Sequence, residues 1–296
     1  MDTSHLKTFI SVAELASFSL AAERLYLTQP AVSKRISALE SELGTRLFDR
    51  IGRRVSLTEA GHMLLPRARD ILREIDDSLR LIANLSGEVG GQLSIGTSHH
   101  IGLHRLPPIL RTYTKVWPAV ELDLRFMDSE AACRAVQTGQ LELGIVTLPL
   151  TPLADLDSQR IWTDPLRIVV GREHPLAAQG RIPPSQLSAH AAILPAHGTY
   201  TRELLEKAIG PGASGLHISM TTNYLETIKM LVSVGLGWSV LPQTMLNDEL
   251  QALDVPGISL IRQLGVVHHR QRTLSNAARA MLQQLQANRH RDSAQA

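Results

Sequence analysis

The first sixty positions alternate apolar and polar residues with the period of short helices. In "HLKTFISVAELAS" the apolar positions Leu6, Phe9, Ile10, Ala13 and Leu15 recur three and four apart, which predicts a helix with one buried face. "FSLAAERLYL" predicts a second short helix, capped by Ser19, with Ala21, Ala22, Leu25 and Tyr26 packed inward. A third begins almost at once. Thr28 is a good N-cap, and Gln29 and Pro30 fill a first turn whose N–H groups have no helical partner, so the proline starts this helix and does not break it. Its inward face is Ala31, Val32, Ile36, Leu39 and Leu43, its outward face Gln29, Ser33, Lys34 and Ser37, and Gly44 ends it. Two short helices meeting in a tight turn, the second with a polar N-terminal half, predict a helix-turn-helix that sets base-reading side chains in a major groove.

"RIGRRVSLT" then alternates and turns at Gly52, which predicts a two-stranded wing with Arg53 and Arg54 near its tip. From Thr58 to Leu85 a long helix follows, with Leu64, Ala68, Ile71, Ile75, Leu79, Ile82 and Leu85 spaced like a coiled-coil seam. "SGEVGG" closes it as a hinge. Beyond it the pattern changes. "GQLSIGTS", "VELDLRFMDS" and "LELGIVTL" predict strands separated by helical stretches, and a second set of strands and helices follows, so a parallel α/β sheet in two lobes is expected. The strands near Leu166–Val170 and Leu260–Val266 are expected to cross between the lobes, "LSNAARAMLQQLQANR" to end the fold as a helix, and "HRDSAQA" to be unstructured.

Charge sharpens the first part. The chain of 296 residues carries a net charge of only +2, and positions 1–90 balance, yet positions 24–54 hold seven basic residues against three acidic ones. Such a local excess suits a polyanion. Thr28, Gln29, Pro30, Ser33, Lys34, Arg35, Arg50, Arg53 and Arg54 are therefore the candidate DNA-binding residues, with Gln29 suited to adenine and the cations to guanine or phosphate. No apolar run approaches the roughly 20 residues of a membrane span, the first residues lack the pattern of a signal peptide, and Cys133 is the only cysteine, so a cytoplasmic protein without membrane contact or an internal disulfide is expected.

The unbroken stretch "SFSLAAERLYLTQPAVSKRISALESELGTRLFDRIGRRVSLTEAG", Ser17 to Gly61, resembles the signature of LysR-type transcriptional regulators. "REHPLA" and "VSVGLGWSVLP" are similar to landmarks of that family's periplasmic-binding-protein-like effector domain. The resemblance implies a winged helix-turn-helix over 1–58, a dimerising linker helix and hinge over 59–90, and an effector-binding domain over 91–296, with lobe I about 91–163 and 266–290 and lobe II about 164–265. It also implies a dimer of dimers on an interrupted palindrome, contact with RNA polymerase, and no enzymatic activity. No phosphate loop, nucleotide fingerprint or nucleophile elbow is present, which weighs against the alternative of an enzyme with a DNA-binding appendage. A DNA-binding protein with a non-functional pocket is the other alternative.

Ligands of open α/β sheets sit at strand ends beside helix N-termini. Those positions hold Thr97, Ser98, His99, His100, Ser129, Thr147, Thr199, Thr201 and Thr222 as candidate effector-binding residues. Hydroxyls dominate, so a small anion or carboxylate held without a salt bridge is expected, although each hydroxyl could equally serve as a helix cap. His100 and His104 stand four apart, the spacing of a two-histidine metal pair, but no cysteine or paired carboxylate adjoins them in sequence. No metal and no cofactor is expected.

Overall fold

The computed structural model describes residues 2–51, 54–179 and 181–292, and the chain divides into two compact units on either side of the Ser86–Gly87 bond. Each unit is described by itself. Among the described residues no helix is long and apolar enough to cross a membrane.

The first unit opens with α1 (Thr3–Leu15), α2 (Phe18–Arg24) and α3 (Gln29–Leu43). Asp2 caps α1 by accepting from the Ser4 N–H at 2.7 Å. The cap of α2 is Ser17 and not Ser19: the Ser17 hydroxyl accepts from Leu20 N–H, while Ser19 already lies inside the helix. Thr28 caps α3, Pro30 sits in the first turn, and Gly44 ends it with φ +67°, a left-handed turn that glycine adopts without strain. Leu6, Phe9, Val12, Phe18, Val32, Ile36, Leu39 and Phe48 form one apolar core. Two inward assignments fail. Leu43 is 40% exposed, being in the last turn beyond the reach of α1, and Tyr26 is 96% exposed because its φ of +53° turns it out of the α2–α3 corner.

The wing is β1 (Phe48–Ile51) paired antiparallel with β2 (Arg54–Leu57). Its base is fixed from α3, where the Glu40 carboxylate accepts from both Leu47 N–H and Phe48 N–H. Thr58 then accepts from Gly61 N–H and donates to Arg46 C=O, starting α4 (Glu59–Asn84). A side chain at Gly61 would collide with the Leu47 carbonyl oxygen, so this corner demands glycine. The expected seam divides. Leu64 and Ala68 pack into the core of their own unit, whereas Ile71, Ile75, Leu79, Ile82 and Leu85 are exposed.

The second unit runs through β3 (Gly91–Thr97), α5 (His99–His104), α6 (Pro107–Val116), β4 (Val120–Phe126), α7 (Ser129–Gln137) and β5 (Leu143–Thr147). There follow β6 (Leu156–Gly171), α8 (Pro184–Leu187), β7 (Ala192–Leu194), α9 (Tyr200–Ile209), β8 (Ile218–Thr221), α10 (Leu225–Ser233), β9 (Ser239–Pro242), β10 (Leu250–Ala252), β11 (Leu260–His269) and α11 (Asn276–Asp292). The helix of α11 thus extends past the expected start of an unstructured tail at His290.

The principal sheet has the order β10-β6-β11-β5-β3-β4, with β9 also on β6. It is mixed and not wholly parallel: β3 pairs parallel with β4 and β5, but β11 is antiparallel to β5 and β6. The reason is topological. β6 carries the chain from lobe I to lobe II and β11 brings it back, so the two crossing strands run in opposite directions. Their register slips by one residue at Leu264/Gly265. Lobe I packs α6 and α11 on β3, β5 and β11 through Leu93, Ile95, Tyr113, Leu143, Val266 and Met281, and the buried Tyr113 hydroxyl donates to Ala277 C=O. Lobe II gathers Ile168, Val170, Leu194, Leu205 and Val240 around the fully buried Trp238, whose indole N–H donates to Leu187 C=O. An unsatisfied indole N–H there would cost about 1–3 kcal/mol.

Candidate functional site

The polar face of α3 is free for a partner. Gln29, Pro30 and Lys34 are exposed, and Ser33 is half-buried beside them. Thr28 is exposed, but its hydroxyl is engaged as the helix cap at 3.4 Å from Ala31 N. Arg35 differs from Lys34: it is half-buried and its guanidinium reaches Thr8 Oγ1 of α1 at 3.5 Å, which draws it toward the helical core. Arg50 and Arg54 lie in the wing strands, and Arg53 lies outside the described residues. The exposed ring of Tyr26 stands at the turn leading into α3. The sequence pattern assigned that ring to the core because only its backbone conformation turns it outward.

In the second unit a cavity of about 50 Å³ lies between the lobes, lined by Ser98, His100, Asp128, Ser129, Glu130, Thr147, Pro195, Thr199, Thr201, Asn223, Leu225 and Arg262. One water needs about 10–15 Å³ of such space, so the cavity suits a small ion or acid. A neighbouring cavity of about 220 Å³ shares Thr147 and Arg262. A larger one, about 430 Å³, lies along Pro165–Ile168 and Ala252–Ile261, but its charged residues Arg167 and Asp254 are exposed.

Six candidates meet in the first cavity: Ser98, His100, Ser129, Thr147, Thr199 and Thr201. Three do not line it. Thr97 is fully buried, and its hydroxyl donates to Ile145 C=O at 2.8 Å. His99 stacks on Phe126 and meets the edge of Tyr224. The Thr222 hydroxyl accepts from Tyr224 N–H. The six also have different duties. Ser129 Oγ accepts from Thr147 N–H and Thr199 Oγ1 caps α9, whereas Ser98 heads α5 without a capping bond from its hydroxyl.

The expectation of a site without a salt-bridging charge is corrected by Arg262. This side chain is 6% exposed; its Nε donates to the fully buried Asp164 at 2.6 Å and one terminal nitrogen donates to Thr201 at 3.2 Å. The other terminal nitrogen, Nη2, is buried without a hydrogen-bond partner. The guanidinium is paired with Asp164, but an N–H of a charged group left buried without an acceptor is costly, so Nη2 favours an incoming one. The sequence signal of Arg262 was slight: an arginine beside Gln263 in a strand whose other residues from Leu260 to Val267 are apolar or glycine. Acidic groups face it across the cavity. Glu130 accepts from Tyr200 N–H at 2.5 Å, and burial raises its carboxyl above the ordinary range against the lowering effect of that bond. Asp128 accepts from Asn223 at 2.8 Å, which joins lobe I to lobe II.

A third link between the lobes lies beside the cavity, where His104 Nε2 and Glu226 Oε1 are 2.8 Å apart. The neighbouring His100 is 5% exposed and neither ring nitrogen has a hydrogen-bond partner. Burial, assisted by Arg262 and His104, pushes this imidazole down to about 3, so it is neutral. Glu226 falls below its ordinary value: burial pulls upward, but its hydrogen bond with His104 and its own backbone amide outweigh that effect. Cys133 is buried, and desolvation pushes its thiol up to about 11, so it packs as a small apolar group.

A winged helix-turn-helix in one unit and a two-lobed cleft in the other define a DNA-binding regulator with its own effector-binding domain. Residues 3–62 match the bacterial regulatory helix-turn-helix protein, lysR family, and residues 86–289 match the LysR substrate binding domain. The chain belongs to the LysR family of transcriptional regulators, whose members here are regulators and not enzymes. It is 32% identical over 282 residues, 94% of each chain, to the HTH-type transcriptional regulator YeiE of Escherichia coli K12. Among solved structures, full-length CbnR complexed with its target DNA is similar with a TM-score of 0.63, at 21% identity, over 97% of this chain and all of that one. The regulatory domain of CcmR from Synechocystis PCC6803, in complex with 2-PG, is similar with a TM-score of 0.59, at 26% identity, over 67% of this chain and 96% of that one.

Proposed function

We propose that this regulator reads DNA with Gln29, Ser33 and Lys34, holds the backbone with Arg35, Arg50, Arg53 and Arg54, and answers to a small anion, a carboxylate or similar acid, bound between its lobes. The observation that carries the anion is the buried Arg262 Nη2, unpaired and set among the hydroxyls of Ser98, Thr199 and Thr201. The complex of the similar CcmR domain with 2-PG supports it. Asp128 and Glu130, on the same cavity, suit a ligand that also carries hydroxyl donors.

The exposed stripe Ile71, Ile75, Leu79, Ile82 and Leu85 pairs α4 with a second copy. Contacts between effector domains then build a dimer of dimers, which meets an interrupted palindrome and RNA polymerase in the cytoplasm. The deciding experiment is a thermal-shift screen of small carboxylates, sulfate and phosphate esters on the full chain. A binder at about 100 times its Kd stabilises by roughly 2.7 kcal/mol, and Arg262→Lys, which keeps the charge but loses the forked donors, should abolish the rise. No shift with any anion would favour a DNA-binding protein whose pocket is non-functional.

A further inference from the structure

We infer that His100, His104 and Glu226 form a site for a divalent first-row transition cation of the zinc class, bridging the two lobes of the second unit. The three side chains each offer one ligand atom, and these atoms lie within 4.8 Å of one another. Around a tetrahedral ion with bonds of about 2.0–2.1 Å the ligand atoms stand roughly 3.3 Å apart, so even the widest pair lies within about 1.5 Å of that spacing. His104 and Glu226 are already at 2.8 Å.

The strongest pointer is His100. Buried imidazoles normally bond through at least one nitrogen, yet both of its nitrogens are without a hydrogen-bond partner although the ring is 95% covered. The ring packs against His104 one helical turn away, with centroids 4.8 Å apart. The nearest guanidinium groups do not oppose a cation with their full charge, because Arg262 and Arg105 both face the Asp164 carboxylate, at 2.6 and 3.8 Å.

Two imidazoles and one carboxylate are the donor set of zinc, cobalt, nickel or ferrous ions, not of magnesium or calcium, which take oxygen. Three protein ligands leave a fourth position for water or for a ligand atom, and His100 itself lines the cavity between the lobes. The histidines belong to α5 of lobe I and Glu226 to α10 of lobe II. A bound ion would tie the lobes together more firmly than the present hydrogen bond. This site extends the functional reading and does not depend on it, since it stands whether or not an anion enters the cavity.

The test uses the full chain, freed of metal with a chelator and titrated with Zn²⁺ by calorimetry, with Co²⁺ as an optical probe. One tight site per chain is expected, with intense Co²⁺ visible absorption typical of four- or five-coordination. His104→Gln and Glu226→Gln, both at exposed or half-exposed positions that the fold tolerates, should each weaken Zn²⁺ at least tenfold and remove the Zn²⁺-dependent rise in Tm. His100→Ala should do the same, but it alters a buried side chain, so the two surface variants decide. Zn²⁺ affinity and Tm shift equal to wild type in both of them would overturn the assignment and leave adventitious binding by other histidines. Their anion response, measured without metal, separates failure of this site from failure of the anion reading.

Discussion

At the scale of single residues, polar side chains around the cavity of the second unit divide between those bonded within the fold and those with bonding capacity left over. Thr97, Ser129 and Thr199 spend their hydroxyl or its lone pair on the backbone, while Ser98 and Arg262 Nη2 retain unused bonding capacity. The sequence could place a hydroxyl at a strand end but not say which way it faces, because capping and ligand binding demand the same residue types at the same junctions. Arg262 and Glu226 were illegible for another reason: their partners, Asp164 and His104, lie 98 and 122 positions away. Glu130 offers a test of the cavity's polarity. Its folded carboxyl is raised above 4.5 by burial, so the stability it contributes is complete below that value and is lost as the pH rises through the raised one. Glu130→Gln stays neutral and can still accept from Tyr200 N–H. Its Tm should therefore exceed that of wild type at about pH 7, the gap closing by about pH 4 in a melting series. A constant gap across the series would mean that the carboxylate is not penalised.

At the scale of elements, the DNA-binding unit was almost fully legible. Each helix has its own cap and apolar period, and the Glu40 and Gly61 contacts show why the motif must read Leu-Glu-x-x-Leu-Gly and Leu-Thr-x-Ala-Gly. The errors all fall at helix ends: Ser19 lies two residues after the true cap of α2, Tyr26 two residues past its last residue, and Leu43 in the last turn of α3. Exposure of Gln29 at the start of α3 predicts that Gln29→Ala costs about 1–3 kcal/mol on the cognate site and little on random DNA, measured by fluorescence anisotropy on both. Equal losses would assign Gln29 to the DNA backbone. In α4, Ile75 is 38% exposed and outside its unit's core, so Ile75→Asp should leave the melting of the helix-turn-helix intact. Sedimentation should nevertheless show dissociation, and binding to paired half-sites should weaken. Unchanged assembly would place the dimer contact elsewhere.

At the scale of the whole molecule, DNA binding and ligand binding reside in units with separate cores. An effector changes the outcome only through a difference in its affinity for two arrangements. Contacts from both lobes converge on one cavity: Ser98 and Asp128 from one side, Thr201 and Asn223 from the other. Ser98→Ala should consequently abolish the change in DNase footprint produced by the anion found in the screen, while the footprint without ligand stays that of wild type. A footprint that still responds at the wild-type anion concentration would remove Ser98 from the site. The mixed sheet was the feature of this scale least visible in the sequence, since a buried apolar strand reads alike in either direction. Its register slip at Leu264/Gly265 has a consequence for how the chain tolerates length changes. The extra residue reverses the in-out parity of β6, so that Ile161 and Trp162, adjacent in sequence, are both buried. Substitutions along the ribbon act locally, but deletion of one residue at that slip would turn every side chain on one stretch of the strand to the opposite face. The crossing strands therefore keep the two lobes in phase, and their count of residues is as strict a specification as their identity.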